Sequence, residues 1–337
     1  MNKKRVTIKD ISELAGVSTS TVSRILNYDD SLQVTLETKK KVFEAAEQLS
    51  YEPKKKSNSV EYKIGFYYSL SPEIEIEDSF YLSLRYEIES LLKVQGHITQ
   101  QITADDTRST VKMVDGIICV GLFTQENLQW LESLQKPLIF ADSNPLPDKF
   151  SAITFDLSFA TRKVLDYLFD LNHTKIGFIG GHNLEDEESG VDAIVDERQA
   201  AYTDYMYKKN LYNADYIKIG DYFPRYGYSL FRELMSVEDK PTAIFIANDS
   251  MAAGCYKAAH EMGINIPGDV SLIGFNDNPS AQYMIPPLTT VRLDVNVLAE
   301  LAVDLIIQTV TKKLTVPLGI TVPSRLIVRD STKVNVR

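Results

Sequence analysis

Residues 7–27, TIKDISELAGVSTSTVSRILN, decide how the start of this chain reads. Thr7-Ile8-Lys9-Asp10 has the Ser/Thr-x-x-acid form of a capping box, so a helix is expected from Ile8. Ile8, Ile11 and Leu14, with Ala15 beside them, give that helix one apolar stripe. Gly16 supplies the backbone freedom for a tight turn, and Val17 fits the angle between two helices. Ser18 is a good N-cap for a second helix whose inward face is Val22, Ile25 and Leu26. Its other face carries Thr19, Ser20, Ser23, Arg24 and Asn27. Short hydroxyls, an arginine and an amide on an exposed helix suit base edges and phosphates in a DNA major groove. A plain helical hairpin with a polar surface is the competing reading.

Further on, Val34-Thr35 opens a third helix whose Val42, Ala45, Ala46 and Leu49 can close a three-helix core, and Tyr51-Glu52-Pro53 ends it. The motifs T-I-K-D-I, A-G-V-S, T-V-S-R-I-L-N and A-A-E-Q-L-S-Y-E-P agree in order and spacing with one known module. The segment resembles the DNA-binding domain of the LacI/GalR family of bacterial transcription regulators. The resemblance implies that the start of the second helix reads bases through Thr19, Ser20 and Arg24. Thr7, Ser18, Thr21, Ser23 and Asn27 then fall at phosphate or capping positions, although Thr21 and Ser23 also read as helix filler.

The charge distribution fits a small basic module on an acidic body. The 337 residues carry a net charge of −10, yet residues 1–56 hold 11 Lys/Arg against 8 Asp/Glu, while the rest holds 25 against 38. Phosphate contacts must therefore come from the N-terminal module, and binding is expected to weaken with salt. Lys54, Lys55 and Lys56 extend the basic surface into a linker over 57–62. In the family this region folds on DNA as a hinge helix that inserts a leucine. This chain has no such leucine, and Val60 is the one apolar residue before Tyr62, so a flexible tether is the other reading. Cys119 and Cys255 sit in apolar surroundings without disulfide or metal spacing, and His97, His173, His182 and His260 are scattered. No metal and no cofactor are expected. MNKKRVTIKD lacks the apolar core of a signal peptide and no run reaches transmembrane length, so a cytoplasmic location and no membrane partner are expected.

From residue 63 short apolar runs alternate with amphipathic helical stretches. Strands are expected at 63–68, 115–121, 137–142, 152–156, 175–181, 215–221, 243–249, 271–277 and 289–294. Helices are expected at 80–95, 158–171, 197–209, 226–236, 250–262 and 295–311. This rhythm implies an α/β core of parallel sheets covered on both faces, repeated in two subdomains. The portion 63–337 resembles the periplasmic-binding-protein-like core of the same family. On that basis one subdomain spans about 63–157 and 290–322, the other about 158–289 and 323–330.

Ligands in such folds bind beyond the carboxyl ends of strands, where Asp142, Asp156, Asn248-Asp249 and Asn276-Asp277 lie. I-A-N-D-S-M-A and I-G-F-N-D resemble the family's effector loops. This implies effector contacts at Asn248, Asn276 and Asp277, with Arg198 of DERQAAY as anchor, Tyr222 as stacking aromatic, and Asp142 in the same cleft. Asp249 and Asp277 also read as helix or turn caps, and Arg198 as an exposed helix residue. Segments 73–89 and 220–234 look like the galactose- and β-galactoside-responsive branch, which would bring Tyr67, Tyr68, Ser79, Phe80 and Tyr81 to the cleft border.

Together these readings describe a homodimeric repressor that binds double-stranded operator DNA and is released by a small sugar, galactose or a β-galactoside. No heptad repeat of the kind that joins dimers follows Arg325. A regulator switched by a phosphocarrier protein is the alternative. A sugar-acting enzyme using Asp249 and Asp277 is the remotest, since no catalytic triad, metal cluster or nucleotide loop supports it.

Overall fold

The computed structural model describes residues 6–26, 34–49, 51, 60–69, 78–103, 106, 111–182, 195–312, 314 and 316–336. The chain divides into two units, Met1–Val60 and Glu61–Arg337.

The first unit is a three-helix module: α1 (Ile8–Ala15), α2 (Thr19–Leu26) and α3 (Leu36–Gln48). The capping box forms in full, with the Asp10 amide donating to Thr7 Oγ1 and the Thr7 amide donating to Asp10 Oδ2 at 2.7 Å. Gly16 closes α1 at φ 66°, in the left-handed region. The core is Ile11, Val22, Ile25, Val42 and Ala45, with Ala46, Leu49 and Tyr51 packed at its edge. Leu14 departs from the expected stripe and is 48% exposed. At 100° per residue, Ala15 lies only about 40° from Ile11 around the helix, whereas Leu14 lies about 60° to the other side. Ala15 therefore takes the place on the buried face.

In the second unit the strands are β1 (Lys63–Tyr68), β2 (Ile98–Ile102), β3 (Gly116–Val120), β4 (Leu138–Ala141), β5 (Ser151–Phe155), β6 (Ile176–Gly181), β7 (Ile217–Gly220), β8 (Ala243–Ile246), β9 (Ser271–Ile273), β10 (Thr290–Arg292), β11 (Gly319–Val322) and β12 (Arg325–Ile327). They make a six-stranded sheet in the order β11-β5-β4-β3-β1-β2, a four-stranded sheet β7-β6-β8-β9, and a ribbon β10-β12. Both larger sheets are parallel throughout, and only the ribbon is antiparallel. The central strands β3, β4, β6 and β8 are buried along their whole length, as sheets covered on two faces require. The sheets define a first and a second lobe.

Helices α4 (Ser79–Gln95), α5 (Gln125–Ser133), α6 (Leu157–Asp170), α7 (Glu197–Lys208), α8 (Pro224–Leu234), α9 (Asp249–Glu261) and α10 (Val295–Lys312) cover the sheets. Late in the chain, α10 returns to pack on α4, β3, β4 and β5 of the first lobe. The closest helix pair is α8 and α9. A methyl group on Gly227 would overlap the Met251 carbonyl, and one on Gly254 would overlap the Pro224 carbonyl. Strands β2, β11 and β12 and helix α5 were not among the expected elements. β2 is an edge strand reading ITQQI with polar residues mostly outward, and α5 is capped by Thr124 with Asn127 instead of an acid.

Candidate functional site

In α2 the N-terminal residues are arranged by one hydroxyl. Ser18 Oγ accepts from the Thr21 amide at 3.0 Å and lies 2.8 Å from Thr21 Oγ1, so Ser18 caps the helix and Thr21 is tied to that cap. Thr19 and Ser20 are exposed, while Thr21, Ser23 and Arg24 are half-buried beside the apolar face. Thr7 is spent on the capping box of α1. Asn27, Lys54, Lys55 and Lys56 lie outside the described residues.

Between the two lobes the strand ends bring together a buried polar cluster. Asp196 caps α7 by accepting from the Arg198 amide at 2.8 Å, and the same carboxylate accepts from Arg198 Nε at 2.8 Å and Nη2 at 2.7 Å. Arg198 also donates through Nη1 to the Ala247 carbonyl and through Nη2 to the Tyr222 hydroxyl at 3.2 Å. Tyr222 in turn donates to Asp196 at 2.7 Å. The guanidinium lies 5.3 Å from the Tyr222 ring and 5.4 Å from the Phe275 ring. Burial alone would raise Asp196, but the charge and hydrogen bonds of Arg198 and the bond from Tyr222 outweigh it and hold the carboxyl at about 2. Burial likewise opposes the Arg198 charge, and the Asp196 charge reverses that and pushes Arg198 well above its ordinary value.

Asn248 is the N-cap of α9. Its Oδ1 accepts from the Met251 amide at 2.8 Å, and its Nδ2 donates to the Tyr222 carbonyl at 3.2 Å and to Asp78 Oδ2 at 3.0 Å. Asp78 caps α4 of the first lobe, so this last bond joins the lobes directly. Removal from solvent raises Asp78 despite its hydrogen bonds from Phe80, Asn248 and Asn278. Asp142 follows β4 with φ 73°. Desolvation raises its carboxyl to about 7 against the hydrogen bond from Tyr81 and the charge of Arg198.

Asn276 is 8% exposed with φ 103°, and its side-chain amide makes no hydrogen bond among the described residues. The next residue, Asp277, is fully committed. One oxygen accepts from Arg292 at 2.6 Å and the other from Arg329 at 2.6 Å, tying β10 to the segment after β12. Both Asn276 and Asp277 sit in the left-handed region, where Asn and Asp are the side chains best tolerated.

Asp249, expected as a cap, is the first residue of α9, and Asn248 is the cap. The Asp249 carboxylate is buried and accepts from the Asn278 amide at 2.7 Å and from Thr290 Oγ1 at 2.7 Å. Burial pushes it up to about 7, with the Asp277 charge adding to the rise and the Thr290 and Asn278 bonds opposing it. The unfolded chain ionises near 3.8, so the folded state retains a proton that the unfolded state has lost. Stability contributed here therefore falls from about pH 4 to about pH 7 and is flat above. Asp249→Asn can keep both bonds, accepting from Asn278 and donating to Thr290. Its stability relative to the parent, read by urea unfolding, is expected to be greater at pH 7.5 than at pH 5. Parallel curves would contradict this placement.

The aromatic residues at the first strand divide by pleat. Tyr67 packs in the first-lobe core against Phe123 and Trp130, whereas Tyr68 points the other way, toward Phe66 and Arg85. Phe80 is core, in contact with Phe155, and Ser79 opens α4. Tyr81 is thus the member of that group that reaches the Asp142 carboxyl. Asp78, Asp196 and Phe275 were not singled out by sequence reasoning. The signal for Asp78 and Asp196 was present only as capping, in D-S-F before α4 and D-E-R before α7, while Phe275 lay inside I-G-F-N-D.

Beside this cluster lies a cavity of about 300 Å³. Asp142, Ser143 and Asn144 after β4, Thr154 on β5 and Thr321 on β11 line it from the first lobe, and Glu197 lines it at the start of α7. Asp156 also faces it while capping α6, accepting from the Phe159 amide at 2.7 Å. No group of three or more His, Cys, Asp or Glu among the described residues is arranged to hold a metal.

Comparison with known proteins decides the family. The model of bacterial regulatory proteins of the lacI family matches residues 7–54, and that of the periplasmic binding protein-like domain matches residues 165–332. The chain is 38% identical over 329 residues to the transcriptional regulator GanR of Bacillus subtilis, covering 96% of this chain and 99% of that one. The chain belongs to the lacI family of regulators. It is also 32% identical to the regulator GalR of Lacticaseibacillus casei over 97% of this chain and 99% of that one. With the repressor MelR of Bacillus subtilis it shares 33% over 97% of each chain. Among solved structures, the CelR–cellobiose complex superposes with a TM-score of 0.70 at 23% identity over 97% of this chain and all of that one. The lac repressor dimer bound to operator superposes with a TM-score of 0.68 at 24% identity over 98% of this chain and all of that one. This lacI-family protein is accordingly a helix-turn-helix DNA-binding transcription regulator, and its family is one of regulators, not enzymes. No helix among the described residues is long and apolar enough to cross a membrane.

Proposed function

We propose that this chain is a cytoplasmic, homodimeric repressor of sugar-utilisation genes, released from its operator when a neutral sugar binds between the lobes. Residues 1–56 are the DNA-binding headpiece, 57–62 the linker, and 63–337 the effector and dimerisation core. In this reading the core's lobes run 63–157 with 290–322 and 158–289 with 323–330. Thr19, Ser20 and Arg24 read bases, while Thr7, Ser18, Thr21, Ser23, Asn27, Lys54, Lys55 and Lys56 hold or contact the phosphate backbone. Arg198, Tyr222, Asn248, Asn276, Asp142 and Tyr68 form the effector site, and Asp277 serves it by fixing the loop behind Asn276.

The observation that carries the choice of a neutral ligand is the commitment of Arg198 to Asp196. An anionic effector would meet Asp78, Asp142, Asp156 and Glu197 without a guanidinium left to neutralise it. A polyhydroxyl ligand, which donates as well as accepts, suits those carboxyls and the uncommitted Asn276 amide. The CelR structure holding cellobiose supports the same class. Galactose and β-galactosides are the first candidates.

For the dimer, the supporting observation is a set of exposed apolar residues on the first lobe: Leu82, Tyr86 and Val94 of α4 and Ile98 of β2, Tyr86 at 67%. A second copy is its partner, as in the similarly folded lac repressor dimer. Sedimentation equilibrium is expected to give twice the chain mass.

The deciding experiment is fluorescence anisotropy of labelled DNA from upstream of the chain's own and neighbouring genes, with and without galactose and lactose. Tight binding that weakens steeply with salt and is released by a sugar is expected. Differential affinity of about 1–3 kcal/mol between the two states suffices for that release. DNA binding that neither sugar alters would contradict the effector assignment.

A further inference from the structure

The two asparagines assigned to the effector are each followed by an aspartate, in Asn248-Asp249 and Asn276-Asp277, and the members of each pair have different tasks. Asn248 bonds to Asp78 and to the Tyr222 carbonyl, within the cluster between the lobes. Both aspartates instead hold the ribbon β10-β12. Asp249 accepts from Thr290 Oγ1 of β10 at 2.7 Å. Asp277 accepts from Arg292 at the end of β10 and from Arg329 beyond β12, each at 2.6 Å. The backbone adds to this hold, since the Asn276 main-chain amide donates to the Val291 carbonyl at 2.8 Å and that of Gly274 to the Thr289 carbonyl at 2.9 Å.

The ribbon lies where the chain passes between lobes. β10 runs into α10, which packs on the first-lobe sheet, while β11 pairs with β5 of that sheet and leads directly into β12. Two passages between the lobes are therefore joined side by side. They are antiparallel, with Thr290 opposite Ile327, Val291 opposite Leu326 and Arg292 opposite Arg325, so neither slides along the other without breaking the ladder. The last of these pairs sets two arginines against each other, which repels unless each charge is met. Asp277 meets Arg292 at 2.6 Å, and Asp294 meets Arg325 at 2.7 Å. The ribbon is thus a braced unit, held by the residues that follow the two effector asparagines.

We propose that Asp249 and Asp277 are positioning residues that convey effector binding to the first lobe, by tying the two ligand loops to the strands that cross between lobes. This rests on the effector reading given above and adds the route by which that site acts. A ligand that draws on Asn248 or Asn276 displaces a neighbour one peptide away, and that neighbour is bonded to the ribbon. Because the ribbon continues into α10 and comes from β11, its displacement is delivered to the lobe that carries β1, the strand after the linker. Neither aspartate has to touch the ligand for this, which accounts for two carboxylates spent on protein donors beside residues assigned to the effector. Two ties act in parallel, so cutting them one at a time weakens the coupling in steps.

The test uses the full-length protein, with isothermal titration of galactose and lactose and anisotropy of labelled operator with and without each sugar at saturation. Two substitutions cut the ties without altering a residue of the effector site. Thr290→Val removes the hydroxyl that serves Asp249, and Arg292→Met removes one arginine from Asp277 while Arg329 stays. Saturating sugar is expected to weaken the parent's operator affinity by about 10-fold or more, each single variant's by less, and the double variant's by under about 3-fold. Sugar affinity of the free protein and operator affinity without sugar are expected to stay within about 3-fold of the parent's in all of them. Melting curves check folding. Should the double variant be unfolded at the working temperature, Arg292→Met alone decides, since that side chain is already 41% exposed in the parent. A double variant that sugar releases as fully as the parent overturns the proposal. So does a loss of sugar affinity in step with the loss of release, which is what a merely loosened site would give. A parent that binds a sugar and keeps its operator overturns the route and leaves the ligand assignment standing. A parent that binds neither sugar overturns both readings.

Discussion

Arg198→Ala is expected to cost about 3–5 kcal/mol of folding stability and to leave a regulator that holds its operator but no longer answers its effector. The size follows from what the guanidinium leaves behind. Asp196 has a side chain only 4% exposed, and it depends on the Arg198 guanidinium for two hydrogen bonds and the charge that keeps it ionised. Truncating one member of such a pair strands the other in a low-dielectric setting, which is why the loss exceeds the net worth of the pair. Lysine is not expected to rescue, since a single ammonium cannot reach Asp196 in bidentate fashion together with Ala247 and Tyr222. A paired variant, Asp196→Asn with Arg198→Met, removes both charges and is expected to recover much of the stability and none of the sugar response. Urea unfolding and operator release read the two properties separately. An Arg198→Ala protein that unfolds like the parent and is still released by sugar would remove this residue from the site.

The second large effect is expected far from any ligand. Gly254→Ala places a methyl group against the Pro224 carbonyl and close to the Tyr228 amide, where α8 and α9 cross. The obstacle is backbone, so no rotamer change can relieve it and the helices must separate. The loss is expected to reach or exceed the roughly 1–3 kcal/mol typical of overpacked cores. Operator affinity per folded molecule is expected to be unchanged. A melting temperature equal to the parent's would show that the two helices are less tightly joined than their geometry indicates.

How much of this was legible in the sequence depended on the range of the interactions involved. The headpiece was readable because its signals are local: Thr7 with Asp10, the left-handed Gly16, and Ser18 before the second helix lie within a dozen residues. Most strands of the core were readable as apolar runs because both faces of the sheets are covered. β2 escaped because an edge strand reading ITQQI carries no such run. In the cleft, Arg198 at the start of α7, Tyr222 after β7 and Asn248 after β8 come together. Their partners were not readable. Asp78 meets Asn248 across 170 positions of chain, and nothing in D-S-F distinguishes a cap that also reaches another lobe. Asp277 shows the opposite case. Its motif pointed to ligand contact, but its carboxylate is saturated by Arg292 and Arg329, which lie 15 and 52 residues away in the chain.

The bond from Asn248 to Asp78 also bears on gene expression in the absence of any inducer. In the proposed reading, a ligand-free bond from Asn248 to Asp78 that joins the lobes gives Asp78 a share in the balance between operator-holding and operator-releasing forms. A change as small as Asp78→Asn would reset the background level of transcription without touching a DNA-contacting residue. In that reading the cap of α4, and not the recognition helix alone, sets how tightly the genes are silenced.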